Sequence, residues 1–308
     1  MLNSFIIVGS NVLVIFILIV LGYFCGKLNI VSQEGIKSMN NLVLNIVTPC
    51  VIINALQRDY KPELLKGLLL AMLSALIAHA VPYLLGLILI REKDASRRLV
   101  LRFASVFSNC GFMAFPLIEA ICGSEGLFYG AGFAAVCNLL AWSFGQYRFS
   151  AGGPDFRLSK TILNPGILAS LAGLVFFFFS VRIPDLLLRP IVFMAGLNTP
   201  VPMIIIGFTI SKMNLKECFT LKSEWITPLI RLLISPVVVL AILYAMGIRG
   251  TILTATMISA SAPVGAMAAM FSIKFDKDPS LASKLVSVTS ILSVITMTLI
   301  VSVAMYLA

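Results

Sequence analysis

Residues 107–116 read Phe107-Ser108-Asn109-Cys110-Gly111-Phe112-Met113-Ala114-Phe115-Pro116. They lie inside an apolar run long enough to cross a bilayer, yet serine, asparagine, glycine and proline spoil a continuous helix there. In hydrocarbon such a break leaves N–H and C=O groups unpaired, at several kcal/mol each, unless protein or a watery cavity takes them up. In transporters, breaks at mid-membrane depth often form the binding site. A second interrupted stretch, Ser259-Ala260-Ser261-Ala262-Pro263-Val264-Gly265, lies in the other half of the chain. Two interruptions in matching places mark the expected functional centre, and the remaining helices are its housing.

The composition agrees with a membrane setting. The 308 residues are 59% hydrophobic and 12% charged, with a mean hydropathy of +1.03, more apolar surface than a soluble domain can bury. The expected class is an all-α polytopic membrane protein. The net charge of +10 reads as Lys- and Arg-rich cytoplasmic connections in a lipid bilayer, with no nucleic acid partner. The six cysteines (Cys25, Cys50, Cys110, Cys122, Cys137 and Cys218) are scattered, without C-x-x-C or a His/Cys cluster. Neither a disulfide framework nor a metal site is expected, and no cofactor. One histidine and no central carboxylate leave almost nothing from which to build an enzyme. The first apolar run, Ser4 to Cys25, has no basic residue before it and no small-x-small cleavage site, so it reads as a spanning helix.

A span needs roughly 20 mostly apolar residues. That rule predicts ten, at about 4–25, 35–56, 64–90, 99–122, 127–149, 161–180, 184–211, 226–246, 251–271 and 281–307. The longest polar connector, Ser150 to Lys160, divides the chain into 1–149, a linker at 150–160, and 161–308, with five spans on each side. Sixteen Lys and Arg residues fall on one face of this arrangement and six on the other, with Arg231 inside a span. The positive-inside rule then puts both termini outside and the linker in the cytoplasm of a plasma (inner) membrane. Five spans per half is an odd number, so the halves insert in opposite senses, as inverted repeats do. The halves also share punctuation. Pro49 and Gly111 are 62 positions apart, Pro200 and Pro263 are 63 apart, and Pro82 and Pro236 interrupt the intervening spans.

The stretch Asn109-Cys110-Gly111-Phe112-Met113-Ala114-Phe115-Pro116-Leu117 resembles the Asn-x-x-x-Met-Gly-x-Pro-Leu pattern in the fourth helix of the auxin efflux carrier family. Ala262-Pro263, Phe275-Asp276-Lys277-Asp278-Pro279, Ser290 to Thr296 and Val47-Thr48-Pro49 are similar to its ninth helix and outgoing loop, its last helix and its second helix. The resemblance covers nearly the whole chain. It implies a ten-helix carrier of two inverted five-helix repeats, with the fourth and ninth helices broken and crossing at mid-membrane. Helices 1, 2, 6 and 7 would form a scaffold, and 3–5 and 8–10 a core moving against it in an elevator-type motion. It further implies that Asn109 and Pro263 line the substrate pocket. The sequence departs from the family in three places: the plant exporters' long hydrophilic loop is absent, Ala114 replaces a glycine, and Met297 stands where many bacterial relatives have proline. The bile-acid sodium symporters have a similar architecture.

Read physically, half-helices starting near Phe115-Pro116 and at Pro263 would point free N–H groups at the midplane, which favours an anion. Ser108, Asn109, Ser259 and Ser261 add polar side chains, and Gly111 and Gly265 allow close backbone approach. Tight packing of small residues in lipid is the competing explanation. Asn45 and Thr48 on the second span, and Asn138 and Gln146 on the fifth, are further candidates for the cavity wall, with Gln146 close to the inner boundary. Asn198 and Thr199 are the repeat counterparts on the seventh. Two ionisable residues lie inside spans, His79 and Arg231, and such residues are functional candidates by default. His79 is the proton-coupling candidate. Arg231, close enough to a boundary to snorkel, is the anion-attracting one. The expected function is secondary transport of a small organic anion, a mono- or dicarboxylate of malate or malonate type or an auxin-like weak acid. The alternatives are a sodium-coupled organic anion symporter and a membrane metabolite sensor that does not transport. Pairing of two copies into a homodimer is left open.

Overall fold

The computed structural model describes residues 2–150, 163–212 and 224–308. The linker from residue 151 onward, together with Lys216, Cys218 and Lys222, lies outside the described residues. Helices are α1 (Leu2–Lys27), α2 (Gln33–Leu56), α3 (Pro62–Leu89), α4 (Ala95–Val106), α5 (Cys110–Phe149), α6 (Pro165–Phe178), α7 (Asp185–Ser211), α8 (Ile226–Ala245), α9 (Gly250–Ser261), α10 (Met267–Lys274) and α11 (Pro279–Leu307). Seven of these are long and apolar enough to cross a membrane: α1, α2, α3, α5, α7, α8 and α11. Among the described residues the only strand-like pairing is a single bridge between Ser108 and Val264.

Local chemistry sets the helix starts. Asp94 accepts from the Arg97 N–H at 2.7 Å and opens α4. Asn164 caps α6 ahead of Pro165, and Asp278 caps α11 ahead of Pro279. Each is a polar side chain satisfying an N–H that the first turn leaves free, with proline placed where no N–H is needed.

The predicted fourth and fifth spans are joined. Instead of a loop at 123–126 there is one sharp bend at Gly123, at φ 60° and ψ −158°, a backbone conformation that side chains disfavour. The predicted fourth span therefore divides between α4 and the first turns of α5, and the predicted ninth becomes α9 and α10. Both interruptions fall where the polar and small residues predicted them.

Helices α1, α2, α6 and α7 pack on one another, with the second half of α7 against α1 and α6 against the second half of α2. In the other group α5 lies against α3 and α9, while α9 and α10 lie against α11. The groups meet where α1 touches α11 and α2 touches α5. The outward faces carry large apolar side chains, among them Leu186, Phe193 and Phe179 at 84, 77 and 75% exposure, suited to lipid. At one end of the bundle Arg182 clasps the α2–α3 turn, donating to Asp59 at 2.9 Å and to the Gln57 carbonyl. That guanidinium holds the Asp59 carboxyl below its ordinary range.

Candidate functional site: two unwound strands and the cavity beside them

The chain between α4 and α5 and the chain between α9 and α10 run past each other as extended strands. The Asn109 N–H donates to the Pro263 carbonyl at 2.8 Å, and the Gly265 N–H to the Phe107 carbonyl at 2.9 Å. The Val264 N–H turns the other way, to Thr289 Oγ1 of α11 at 3.1 Å. The breaks thus satisfy much of each other's backbone, which is what makes an unwound segment tolerable inside a membrane. Gly265 is needed for this approach, because a Cβ there would sit 2.9 Å from the Ser108 carbonyl oxygen. Gly111 differs from expectation. Nothing lies within 4 Å of where its Cβ would be, so it leaves open space instead of enabling contact.

A cavity of about 630 Å³, its open mouth included, lies against the crossing. Its wall takes Ser108, Asn109 and Gly111 from the first strand and the start of α5, and Gly265 and Met267 from the second strand and the start of α10. Asn40, Thr48 and Asn138 add to the polar part, and Leu44, Phe112, Phe115 and Met270 supply apolar wall. The hydroxyls of Thr48 and Ser108 are buried without a hydrogen-bond partner. Asn109 Oδ1 accepts from the Phe112 N–H at 3.2 Å, capping the first turn of α5. The helix begins at Cys110, five residues before the expected start near Phe115-Pro116, with one wide turn at Cys110–Ala114. Two helix starts therefore face one cavity, and the first N–H groups of a helix have no partner within it.

The opposite ends of the broken helices converge on Arg231. This side chain is 1% exposed, so the expected snorkelling does not occur. Its Nε donates to the Ala262 carbonyl at 3.2 Å, and Nη1 donates to those of Val106 at 3.0 Å and Ser105 at 3.4 Å. Its Nη2 donates to the Ala260 carbonyl. One guanidinium thus gathers the carbonyl ends of α4 and α9, where helix dipoles are negative. The cavity and Arg231 divide the crossing between them: N–H ends face the cavity, C=O ends face the cation.

The other expected residues are placed as follows. Thr48, Ser108, Asn109, Gly111, Asn138 and Gly265 come together at the cavity. Asn45 does not; it is exposed, and its amide donates to the Asn41 carbonyl at 2.8 Å. The Ser259 and Ser261 hydroxyls turn back on their own helix, to the carbonyls of Ala255 and Met257. Pro116 is buried within α5, and Pro263 contributes its carbonyl to the bridge without lining the cavity. Asn198 donates to the Gly111 carbonyl at 3.0 Å. Gln146 is fully buried close to the end of α5, outside the cavity wall. His79 is 3% exposed and lies behind the crossing, outside the cavity wall. Its Nδ1 lies 2.6 Å from the Ala75 carbonyl, its ring packs against Phe107 and Phe133, and its Nε2 has no partner. Asn40, which reaches the cavity, was not expected there. It lies eight residues before Thr48, about two turns along the same helix face, and that spacing was the available signal.

The profile of the family described as "Membrane transport protein" matches residues 7–153 and 154–301. This chain belongs to that family. It is the auxin efflux carrier family of the motif resemblance, and the chain is a multi-pass membrane transporter, not an enzyme. Two archaeal relatives extend over nearly its full length. A protein described as an uncharacterized transporter of Methanothermobacter thermautotrophicus is 27% identical over 296 residues, covering 94% of this chain and 96% of the relative. Another, of Methanocaldococcus jannaschii, is 24% identical over 299 residues with the same coverage. The transporter also resembles a yeast protein described in the same words, 24% identical over 51% of this chain and 29% of the relative.

Proposed function

We propose that this transporter is a secondary carrier of a small organic anion, a mono- or dicarboxylate, which binds in the cavity at the crossing. The observation that carries this reading is the pairing of two helix starts on one cavity whose described wall has amides and hydroxyls but no carboxylate. Exposed N–H groups and the positive ends of helix dipoles favour a negative group there. Phe112, Phe115, Met267 and Met270 suit the carbon skeleton of such a substrate. In the same reading the chain is ten spans in two inverted repeats, 1–149 and 161–308, and the group α3–α5 with α8–α11 shifts against α1, α2, α6 and α7. Both termini lie outside; a cysteine at position 155 that reacts only with reagent added outside intact cells would reverse that orientation. A sodium-coupled mechanism has less to work with, since Arg231 already occupies four carbonyls beside the crossing.

Counterflow in proteoliposomes over a panel of organic anions and cations tests the proposal, and exchange that ignores charge sign overturns it. Asn109→Ala is expected to reduce uptake about tenfold, equivalent to about 1.4 kcal/mol of lost interaction. Because Asn109 also caps α5, the matched variant is Asn109→Ser, which keeps a capping oxygen but shortens the reach into the cavity. Normal uptake by a folded Asn109→Ala protein removes the cavity from consideration.

Coupling is assigned to His79, the described central side chain whose unperturbed pKa, about 6.5, falls in the physiological range. Its unpartnered Nε2 and its contact with Phe107 place it one residue layer from the first unwound strand. Uptake by the parent is expected to respond to an imposed pH gradient, and His79→Gln is expected to abolish that response. An identical response in both proteins shows that His79 is not the coupling group.

A further inference from the structure

Two openings adjoin at the end of the bundle where α4 begins. One is a basic pocket of about 620 Å³, mouth included, whose wall contains Arg98, Arg102, Arg148 and Lys277. The other is an apolar groove of about 400 Å³ between α3, α4 and α5, walled by Tyr83, Leu87, Phe103, Val106, Phe107 and Phe144. Leu99, Arg102 and Arg148 belong to both, so the groove runs directly into the basic pocket.

The charges in this region are sorted. Its carboxylates gather on a different residue, Arg97, which pairs with Glu224, with Asp278 at 2.9 Å and with Glu92 at 3.9 Å. Arg97 is not in the pocket wall. The four cations of the wall form no ion pair with any described carboxylate. Arg102 spends one edge of its guanidinium on carbonyls at the end of α3, those of Gly86 and Leu87, and on that of Ile90 just beyond it. Arg98 spends Nη1 on the carbonyls of Glu92 and Lys93. Arg148 is exposed and takes no acceptor among the described residues. Like charges held together without counter-charge among the described residues are the chemistry that recruits an anion. The adjoining groove says which kind. Leu87 and Phe144, on its wall, are 40 and 42% exposed on the surface that meets hydrocarbon, so the ligand has an apolar chain as well as a charged head.

We infer that this pair of openings binds an anionic phospholipid, its phosphate among Arg98, Arg102, Arg148 and Lys277 and one acyl chain along the groove. Basic pockets between spanning helices on the cytoplasmic side have the chemistry for such headgroups. The groove ends on Phe107, whose carbonyl holds Gly265 in the crossing and whose ring packs on His79. A bound chain would therefore brace the first unwound strand from behind, and lipid composition would set how firmly the crossing is held.

The test reads lipid binding and does not depend on which substrate is carried. The full-length protein is purified in mild detergent, and retained lipid is measured by native mass spectrometry after addition of phosphatidylglycerol or phosphatidylcholine of matched chains. Phosphatidylglycerol is expected to be retained at least fivefold over phosphatidylcholine. The double variant Arg98→Gln, Arg148→Gln is expected to lose that preference while eluting as a folded protein. Lys277→Gln is the separate single variant should the double one fail to fold, and it too is expected to weaken retention. Equal retention of the two lipids, or a preference unchanged in the variants, overturns the site and leaves the charges as signals of membrane orientation alone. Glycerol phosphate competing as well as whole phosphatidylglycerol assigns the pocket to a soluble phosphate and overturns the lipid. Little competition from it supports the part given to the groove.

Discussion

Arg231→Ala is expected to lose about 3 kcal/mol or more of stability, and with it transport, although no substrate contact is removed. The guanidinium is buried and answers four carbonyls from two helix ends. Hydrogen bonds to a charged donor contribute about 1.5–3 kcal/mol each, and carbonyls stranded in a dry interior add a desolvation cost. Arg231→Lys should be intermediate, because one ammonium keeps the charge but cannot reach both strands as a planar fork does. Thermal unfolding in detergent, followed beside uptake in proteoliposomes, gives the order parent, Lys, Ala. An Arg231→Met protein melting with the parent would show that the carbonyls find other partners, and the crossing would not depend on this residue.

The second large effect is expected at Gly265. Alanine there places a methyl group 2.9 Å from a backbone oxygen that has no side-chain freedom to yield. Overpacking of this kind costs about 1–3 kcal/mol, and here the strands must separate, weakening the Gly265–Phe107 and Asn109–Pro263 hydrogen bonds together. Uptake by Gly265→Ala should fall more than tenfold. Gly111→Ala is the internal contrast, since its added methyl meets open space and should leave the melting temperature near that of the parent. Equal melting temperatures for the two variants would mean that the close approach at Gly265 is dispensable.

What could be read from the chain alone divides along a physical line. The two interruptions were legible because polar and small residues inside apolar runs violate what hydrocarbon permits, and the violation is local. Direction was not legible. Ser259 and Ser261 looked like cavity residues by composition, but a serine within a helix readily returns its hydroxyl to the carbonyl one turn back, and both do. Asn45 and Asn40 are the same residue type on one helix, and only the second reaches the cavity. The start of α5 at Cys110 depends on a side-chain cap from Asn109 and one wide turn, neither of which proline placement reveals. The partners of Arg231 lie 29 to 126 positions away in the chain, so the sequence marked the residue as costly without saying what it holds.

The buried guanidinium also has an electrical consequence. It is a permanent charge fastened to both unwound strands, so a carrier whose strands move across the membrane moves that charge with them. One elementary charge carried through a 100 mV potential corresponds to about 2.3 kcal/mol. With a monovalent anion in the cavity and no proton on His79 the moving unit is nearly neutral and crosses with little electrical work; with the proton that His79 is assigned to take up, it carries one net positive charge. Empty, it crosses with its full positive charge. Voltage dependence therefore reports on the proton: without it, voltage would act on the return of the unloaded carrier and hardly at all on one-for-one anion exchange, whereas with a proton on His79 the loaded and empty units carry the same charge and voltage would act on both steps.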